Sequence, residues 1–283
     1  MASILAYDFM RRAFIVGILL AVIIPCVGIV VVLKRLSMMG DALSHTSLAG
    51  VAAGLILGIN PILGAVVACI AAALGIEAIR KKIPKFSEMS IAIVMSAGVG
   101  LAGILSGFVK NAANFNSFLF GSIVAISDFE MILVACISCI VLSAFIFLYK
   151  ELFYIALDER AAHLAGIPVG AINFIFTILT AVTVSVAART VGALIVSSLM
   201  VVPVACAMQL AKSYKQTVIY ASCFAVFFTV SGLFISYYLK LKPGGTIVLL
   251  GVLCLLMILL LKKILAKLVL TGKRGEYYEG DRR

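Results

Sequence analysis

Long uninterrupted apolar runs decide what this chain can fold into. Nine mostly apolar segments follow one another, at 12–33, 39–58, 61–79, 89–108, 129–149, 168–188, 191–210, 217–239 and 245–268. A helix of about 20 apolar residues spans the hydrocarbon core of a membrane. A transmembrane β-barrel would alternate in hydrophobicity over segments of about ten residues, whereas these runs are continuous. We therefore predict an all-α, polytopic membrane protein with eight or nine transmembrane helices.

The composition also excludes a soluble domain. The 283 residues are 64% hydrophobic and 12% charged, whereas soluble domains have roughly 45–50% apolar and about 25% charged residues. The net charge of +11 would suit a nucleic-acid partner. However, the Lys and Arg residues fall in short clusters between apolar runs, which is where the positive-inside bias puts them. We predict a multi-pass protein in contact with membrane lipid and with no nucleic-acid partner.

The cation clusters indicate which loops share a side of the membrane. If all nine segments cross, one side carries the clusters at residues 34–35, 80–85, 150–160, 212–215 and 262–274. The positive-inside rule assigns that side to the cytoplasm, and the N-terminus is then external, although Arg11 and Arg12 oppose this. We predict a transmembrane domain over residues 1–271 and a polar, disordered cytoplasmic tail over 272–283. Residues 111–128 are only partly apolar and predict an interfacial or re-entrant element.

A carboxylate and an imidazole interrupt the second segment. Asp41 and His45 are four residues apart, so their side chains share one face of a helix. A carboxylate in the membrane is costly unless it is paired or lines a wet pathway. Carboxylate oxygen and imidazole nitrogen both bind divalent transition metals such as zinc and manganese. One helix supplies only two ligands, so the pattern favours a metal site shared between two copies across a two-fold axis.

A structural role for this pair stays open at the level of sequence. Gly40 and Asp41 follow a loop and resemble a helix start, so Asp41 would cap the helix and His45 would satisfy a buried backbone group. Three glycines follow at four-residue spacing, on roughly the opposite side of the helix: Gly50, Gly54 and Gly58. Small residues at this spacing let neighbouring helices approach closely, so we assign them to helix packing.

Two further polar features lie inside apolar segments. Ser197, Ser198 and Pro203, in the stretch IVSSLMVVP, predict either a hinge or pathway lining near a dimer axis, or a tolerated proline kink with Ser bonded to the backbone. The sequence favours the kink. Glu77 precedes Arg80 by three residues near a helix end, a spacing that allows an ion pair.

The stretch KELFYIALDERAAHLAGIPVG, residues 150–170, predicts a short helix outside the membrane over residues 158–166. Asp158 is a good N-cap, Gly166 is a good C-cap, and Pro168 follows. A helix of two turns with few apolar residues is not stable alone. We therefore expect it to dock against a partner, and we interpret His163 as an ordinary helix residue rather than a metal ligand.

Five stretches together resemble the zinc/manganese permease family of bacterial ABC importers. In chain order they are RLSMMGDALSHTSLAGVA (35–52), FLFGSIVAIS (118–127), ALDERAAHLAGIPV (156–169), VGALIVSSLMVVPVACA (191–207) and PGGTIVLL (243–250). Their order and distances are similar to those in the family, and the resemblance covers nearly the whole chain apart from the tail. The first and fourth stretches are the most specific.

The resemblance implies a homodimeric pore in the bacterial cytoplasmic membrane. Two copies of a cytoplasmic ABC ATPase would bind it, and an extracytoplasmic metal-binding protein would deliver the ion. Asp41 and His45 match the family's pore residues. The short loop helix matches the helix that couples the permease to its ATPase. The residues so assigned are Asp158, Glu159, Arg160, Ala161, Ala162, His163, Leu164, Ala165 and Gly166.

The transported ion and the energy source are expectations of the same kind. Zinc is preferred as the transported metal, partly because LFGSIVAIS is more similar to zinc members, and manganese or iron is the alternative. We expect no permanently bound cofactor and no enzyme activity in this chain. No GxxxxGK[ST] motif occurs, so ATP hydrolysis would belong to a separate subunit. A stand-alone secondary transporter, with Asp41 as the ion-coupling carboxylate, is the rival of another class.

Overall fold

The computed structural model describes residues 7–83, 86–109 and 126–280. All regular structure within these ranges is helical, in eleven helices. Their bounds are α1 Asp8–Leu33, α2 Met39–Leu57, α3 Pro61–Lys82, α4 Ser87–Ser106, α5 Asp128–Phe147, α6 Tyr149–Leu157, α7 Glu159–Leu164, α8 Val169–Thr190, α9 Ala193–Leu210, α10 Tyr214–Leu239 and α11 Pro243–Gly280. The prediction of an all-helical, polytopic membrane protein is confirmed.

Each of the nine predicted segments corresponds to one long helix. Within the described ranges, seven of these helices are long and apolar enough to cross a membrane. The other two are α9, which is apolar but shorter, and α2, which is less apolar. Thirteen of the 19 residues of α2 are buried by neighbouring helices. A helix that is surrounded by other helices does not contact lipid, so its surface can be less apolar, and its polar residues lie inside the bundle.

The C-terminal prediction needs a correction. The sequence predicted a disordered tail from residue 272, but α11 continues without a break to Gly280. No proline interrupts this stretch, and Lys, Arg and Glu are good helix formers that extend a helix already nucleated by the apolar residues before them. The interfacial element predicted over 111–128 lies outside the described residues except for its last three, which lead into α5.

Helix α2 lies at the centre of the bundle and contacts α3, α4, α8 and α9. The tightest approach is to α3, where a Cβ added to Gly50 would lie 2.3 Å from the carbonyl oxygen of Gly64. The thiol of Cys69 on α3 donates a hydrogen bond of 3.3 Å to the carbonyl of Leu43. Asp41 precedes Leu43 by two residues, so it lies level with the middle of α3 rather than with either end.

Candidate functional site

Asp41 lies at the contact between α2 and α9. The hydroxyl of Ser197 donates a hydrogen bond of 3.2 Å to Asp41 Oδ1. The backbones approach closely here, because a Cβ added to Gly40 would lie 3.3 Å from both Ser197 Cα and Met200 Sδ. Asp41 is therefore held by a residue 156 positions away in the sequence, and Oδ2 has no hydrogen-bond partner within the described ranges.

His45 lies one helical turn beyond Asp41, on the same side of α2. Both residues are half-buried, between the core and the surface of the single chain. The imidazole makes no hydrogen bond to any other residue that the structure describes. In the same part of the chain, no three His, Cys, Asp or Glu side chains come together as a metal site. One chain therefore brings two candidate ligands to a half-exposed face, and a complete coordination shell needs ligands from elsewhere.

The alternative structural role for this pair is wrong. Helix α2 begins at Met39, its N-cap is Met38, and no side chain caps it. Asp41 lies within the first turn, where a carboxylate interacts favourably with the helix dipole, but it accepts its hydrogen bond from Ser197 instead. His45 satisfies no buried backbone group among the described residues. Asp41 therefore does not cap α2, and His45 does not satisfy a backbone group among the described residues.

The predicted hinge residues lie along α9, beside the Asp41 face. Ser197 and Ser198 are half-buried, and Pro203 is buried in the middle of the helix. The kink interpretation required Ser to bond to the backbone, but the hydroxyl of Ser197 bonds to Asp41. Pro203 has no N–H to donate to the carbonyl of Leu199, so the ladder of α9 lacks one hydrogen bond there. The pathway interpretation thus gains a contact that the sequence did not indicate.

The glycine series divides into two roles. Gly50 contacts Gly64, and a Cβ added to Gly54 would lie 3.0 Å from the Cα of Pro61. These two residues pack α2 against α3, on the side away from Asp41. A Cβ added to Gly58 would meet nothing within 4 Å, and its φ of +69° is left-handed. Gly58 therefore does not pack as predicted, because it ends α2 as its C-cap.

The predicted loop helix forms as α7, Glu159–Leu164. The carboxylate of Asp158 accepts hydrogen bonds from the backbone N–H groups of Arg160 at 2.9 Å and Ala161 at 3.1 Å. At the other end, Gly166 has φ +82°, and its N–H donates to the carbonyl of His163. The N–H of Ile167 donates to the carbonyl of Ala162, which completes a Schellman motif. Local capping therefore fixes both ends of this short helix.

A network of charged and polar side chains joins α7 to the membrane helices. Arg80 bonds to both oxygens of Glu77, each at 3.0 Å, and to Glu159 at 3.2 Å. The amide of Asn173, on α8, donates to Glu159 and accepts a hydrogen bond of 2.8 Å from Lys34 Nζ. The Glu77–Arg80 ion pair was expected from spacing, whereas the other partners were not.

The network perturbs the two ionisable groups that lie outside the membrane helices. Burial, and then the positive charge of Arg80, lower the pKa of Lys34 to about 8. Burial acts to raise the pKa of Glu159, but the hydrogen bond from Arg80 and the charges of Lys34 and Arg80 outweigh it, so the pKa falls below its ordinary value. Glu159 is thus held as a carboxylate between two cations.

An open groove of about 830 Å³ lies beside α7. Its polar lining includes Arg80, Asp158, Arg160 and His163. Leu157 also lines the groove and is 64% exposed, and Leu164, the last residue of α7, is 88% exposed. Exposed leucines beside a groove lined by charged side chains of both signs are typical of a protein-docking surface, because burial of the apolar side chains by a partner is favourable. His163 is exposed here and belongs to no group of three His, Cys, Asp or Glu side chains that could hold a metal ion among the described residues.

The sequence matches one protein family and several curated relatives. A sequence model of the ABC 3 transport family matches residues 6–262. The "probable metal transport system membrane protein" of Treponema pallidum is 35% identical over 92% of this chain and 98% of that protein. The manganese transport system membrane protein MntC of Listeria monocytogenes is 33% identical over 87% of this chain and 88% of its own length.

A zinc-named relative and a solved structure are also similar. The high-affinity zinc uptake system membrane protein ZnuB of Haemophilus influenzae is 28% identical over 86% of this chain and 93% of that protein. The structure described as PsaBC from Streptococcus pneumoniae in complex with Fab contains a chain with a TM-score of 0.81 and 30% identity. The similarity covers 91% of this chain and 93% of that one.

Proposed function

The chain belongs to the ABC 3 transport family, as a multi-pass permease of the zinc and manganese importer type, and we propose that two copies form a zinc pore driven by a separate ATPase. The observation that carries the proposal is the Asp41–His45 face. It offers one carboxylate and one imidazole, half-exposed and level with the middle of α3, without the further ligands that a closed site needs. A second copy across a two-fold axis supplies them.

The charge of such a site suits a divalent cation. Two Asp41 carboxylates neutralise the two positive charges, and two His45 imidazoles complete a four-ligand shell of the kind that zinc takes. The hydrogen bond from Ser197 leaves the other oxygen of Asp41 available as a ligand. A carboxylate within the membrane is stabilised by a cation that pairs with it. We propose that the same residues bind the transported ion and select it.

The energy for transport comes from ATP hydrolysis in the partner ATPase, which acts through α7. We place the ATPase on the exposed surface of α7, where Leu157 lines the charged groove and Leu164 is exposed on the helix. An extracytoplasmic binding protein delivers the metal at the opposite end of the bundle. ATP binding and hydrolysis in the partner then move α7, and this movement alternates the access of the Asp41–His45 site between the two sides of the membrane.

The choice of zinc rests on ligand chemistry. Affinity of a mixed nitrogen and oxygen site rises from manganese to zinc in the Irving–Williams order, and imidazole suits zinc better than it suits manganese. The relatives carry both metals in their names, with manganese on a protein 33% identical and zinc on one 28% identical. The names therefore support a metal of this class, and the ligand set supports zinc within it.

Uptake into sealed vesicles tests the proposal. The chain is reconstituted with its ATPase and loaded binding protein, and accumulation of radioactive zinc is measured with and without ATP, in the presence of increasing manganese. We expect ATP-dependent zinc uptake that resists excess manganese. ATP-dependent uptake dominated by manganese would support ATP-driven transport but would contradict the choice of zinc as the transported ion. Uptake that ignores ATP and follows a proton gradient would overturn the mechanism in favour of a secondary transporter.

A further inference from the structure

The network around Glu159 connects four separate parts of the chain. It contains Glu77 and Arg80 at the end of α3, Glu159 on α7, Asn173 on α8 and Lys34 just after α1. Its inner part is shielded from water, since the side chains of Glu77 and Arg80 are only 13% and 14% exposed, whereas the side chain of Glu159 is 38% exposed. Asn173 is 3% exposed. Hydrogen bonds and ion pairs in such a setting are stronger and more directional than those on an open surface.

Glu159 is the polar side chain that ties α7 to the membrane helices. Asp158 caps its own helix, and Arg160 and His163 are exposed, with no hydrogen bond from their side chains to another helix in the part of the chain described. Glu159 instead bonds to Arg80 on α3 and to Asn173 on α8. A displacement of α7 must therefore break these bonds or carry Arg80 and Asn173 with it.

Lys34 continues the connection towards the metal site. It ends α1 and donates to Asn173, and only residues 34–38 separate α1 from α2. This connection is tight, because the N–H of Leu36 bonds to the carbonyl of Val31 and the N–H of Met39 bonds to that of Leu36, both at 2.8 Å. Arg35 has φ +58°, a conformation that is uncommon for a residue with a side chain. Because the turn is short and hydrogen-bonded to both helices, a displacement of Lys34 also displaces the start of α2.

We infer that Glu159, Asn173 and Lys34 are positioning residues that link the ATPase-docking helix α7 to the Asp41 helix α2. The inference rests on the proposed function, because it names the route by which the partner ATPase acts on the metal site. None of the three residues belongs to the proposed Asp41–His45 site. Their role is to hold α7, α8 and the start of α2 as one unit, so that a movement at the surface changes the environment of Asp41.

The test is a comparison of coupling ratios, the number of metal ions transported per ATP hydrolysed. Asn173→Ser shortens the bridge out of reach of Lys34 and Glu159 without adding bulk. Glu159→Gln keeps an acceptor for Arg80 but removes the charge. Matched controls are Lys82→Gln and Glu88→Gln, since both residues are exposed near the same end of the bundle and have no side-chain partner among the described residues. Each variant is assayed for zinc binding, ATP hydrolysis and uptake.

We expect both network variants to bind zinc and hydrolyse ATP while the coupling ratio falls about tenfold, and both controls to match the parent chain. The double variant Glu159→Gln with Asn173→Ser should lose no more coupling than the worse single variant, because both interrupt one connection. Unchanged coupling in assembled Asn173→Ser protein, or losses that multiply in the double variant, would overturn the inference. If Asn173→Ser fails to assemble, the coupling ratio of Glu159→Gln decides alone. Failure of the proposed function can be told apart from failure of this inference, because in that case the parent chain itself would show no ATP-driven uptake.

Discussion

Ser197 on α9 donates a hydrogen bond of 3.2 Å to Oδ1 of Asp41 on α2. The bond occupies one carboxylate oxygen and fixes the direction in which the other faces. If Asp41 is a metal ligand, as proposed, this hydrogen bond would orient its carboxylate before the ion arrives. The contact also gives a reason for a serine at position 197 of a mostly apolar helix.

Removal of that hydroxyl should weaken metal binding and spare the turnover step. In Ser197→Ala the Asp41 carboxylate keeps its charge but loses its fixed orientation, so we expect zinc affinity to fall about tenfold, with a near-normal maximal uptake rate. Uptake measured over a range of zinc concentrations separates the two parameters. Ser106→Ala serves as the control, because its hydroxyl bonds only within α4. An unchanged zinc affinity in Ser197→Ala would show that the bond does not serve the site.

The close backbone approach of α2 to α3 predicts a large effect of one methyl group. Gly50→Ala places a Cβ 2.3 Å from the carbonyl oxygen of Gly64, so α2 and α3 must separate, at a cost of about 1–3 kcal/mol. Gly100→Ala adds the same methyl group where nothing lies within 4 Å, and it should stabilise α4 by about 0.5–1 kcal/mol. Thermal unfolding in detergent compares the two. Equal melting temperatures would contradict the close packing at Gly50.

The N-cap of α7 predicts a defect in partner binding. Asp158→Ala leaves the N–H groups of Arg160 and Ala161 without their acceptor, which costs about 1 kcal/mol of helix stability. Since α7 has only six residues, we expect the docking surface to fray and the affinity for the ATPase to fall. Asp158→Asn retains a capping oxygen and should bind normally. Loss of binding in both variants would point to the charge of Asp158 rather than to its cap.

The half-buried Lys34 predicts a pH dependence of stability. Because its pKa falls to about 8 from the ordinary 10.5, the unfolded chain binds more protons than the folded chain between these two values. The free energy of unfolding should therefore rise with pH across that range. Lys34→Met removes the titrating group, so its melting temperature should rise less than that of the parent chain between pH 8 and 10. Parallel curves would show that Lys34 keeps its ordinary pKa.

The sequence predicted the helices because their signals are local. Continuous apolar runs mark nine of them, and Asp158 with Gly166 marks the ends of α7. Helix α6 was missed as a separate element, because Leu148, where α5 and α6 separate, carries no glycine or proline signal. The start of α1 was also predicted too late. The continuous apolar run begins only after Arg11 and Arg12, whereas the helix itself begins at Asp8.

The parts of the site that the sequence missed depend on distant contacts. Asp41 and His45 stand out because polar residues are rare in such a segment, but Ser197 lies 156 residues from Asp41. Likewise, Glu159 lies 79 residues from Arg80, and Lys34 lies 139 residues from Asn173. Spacing along one helix could predict only the Glu77–Arg80 pair. The rest follows from how α1, α3, α7 and α8 meet at one end of the bundle.

The role of Asp41 in transport is tested by ATP-dependent zinc uptake by Asp41→Asn in vesicles with the ATPase and binding protein. This substitution preserves the shape of the side chain and its hydrogen bond from Ser197 but removes the charge, and Glu88→Gln is the matched control. If Asp41 is a metal ligand in the pathway, uptake by the assembled Asn variant should fall to the level of empty vesicles while the control transports normally. Normal uptake by a well-folded Asn variant would contradict the account.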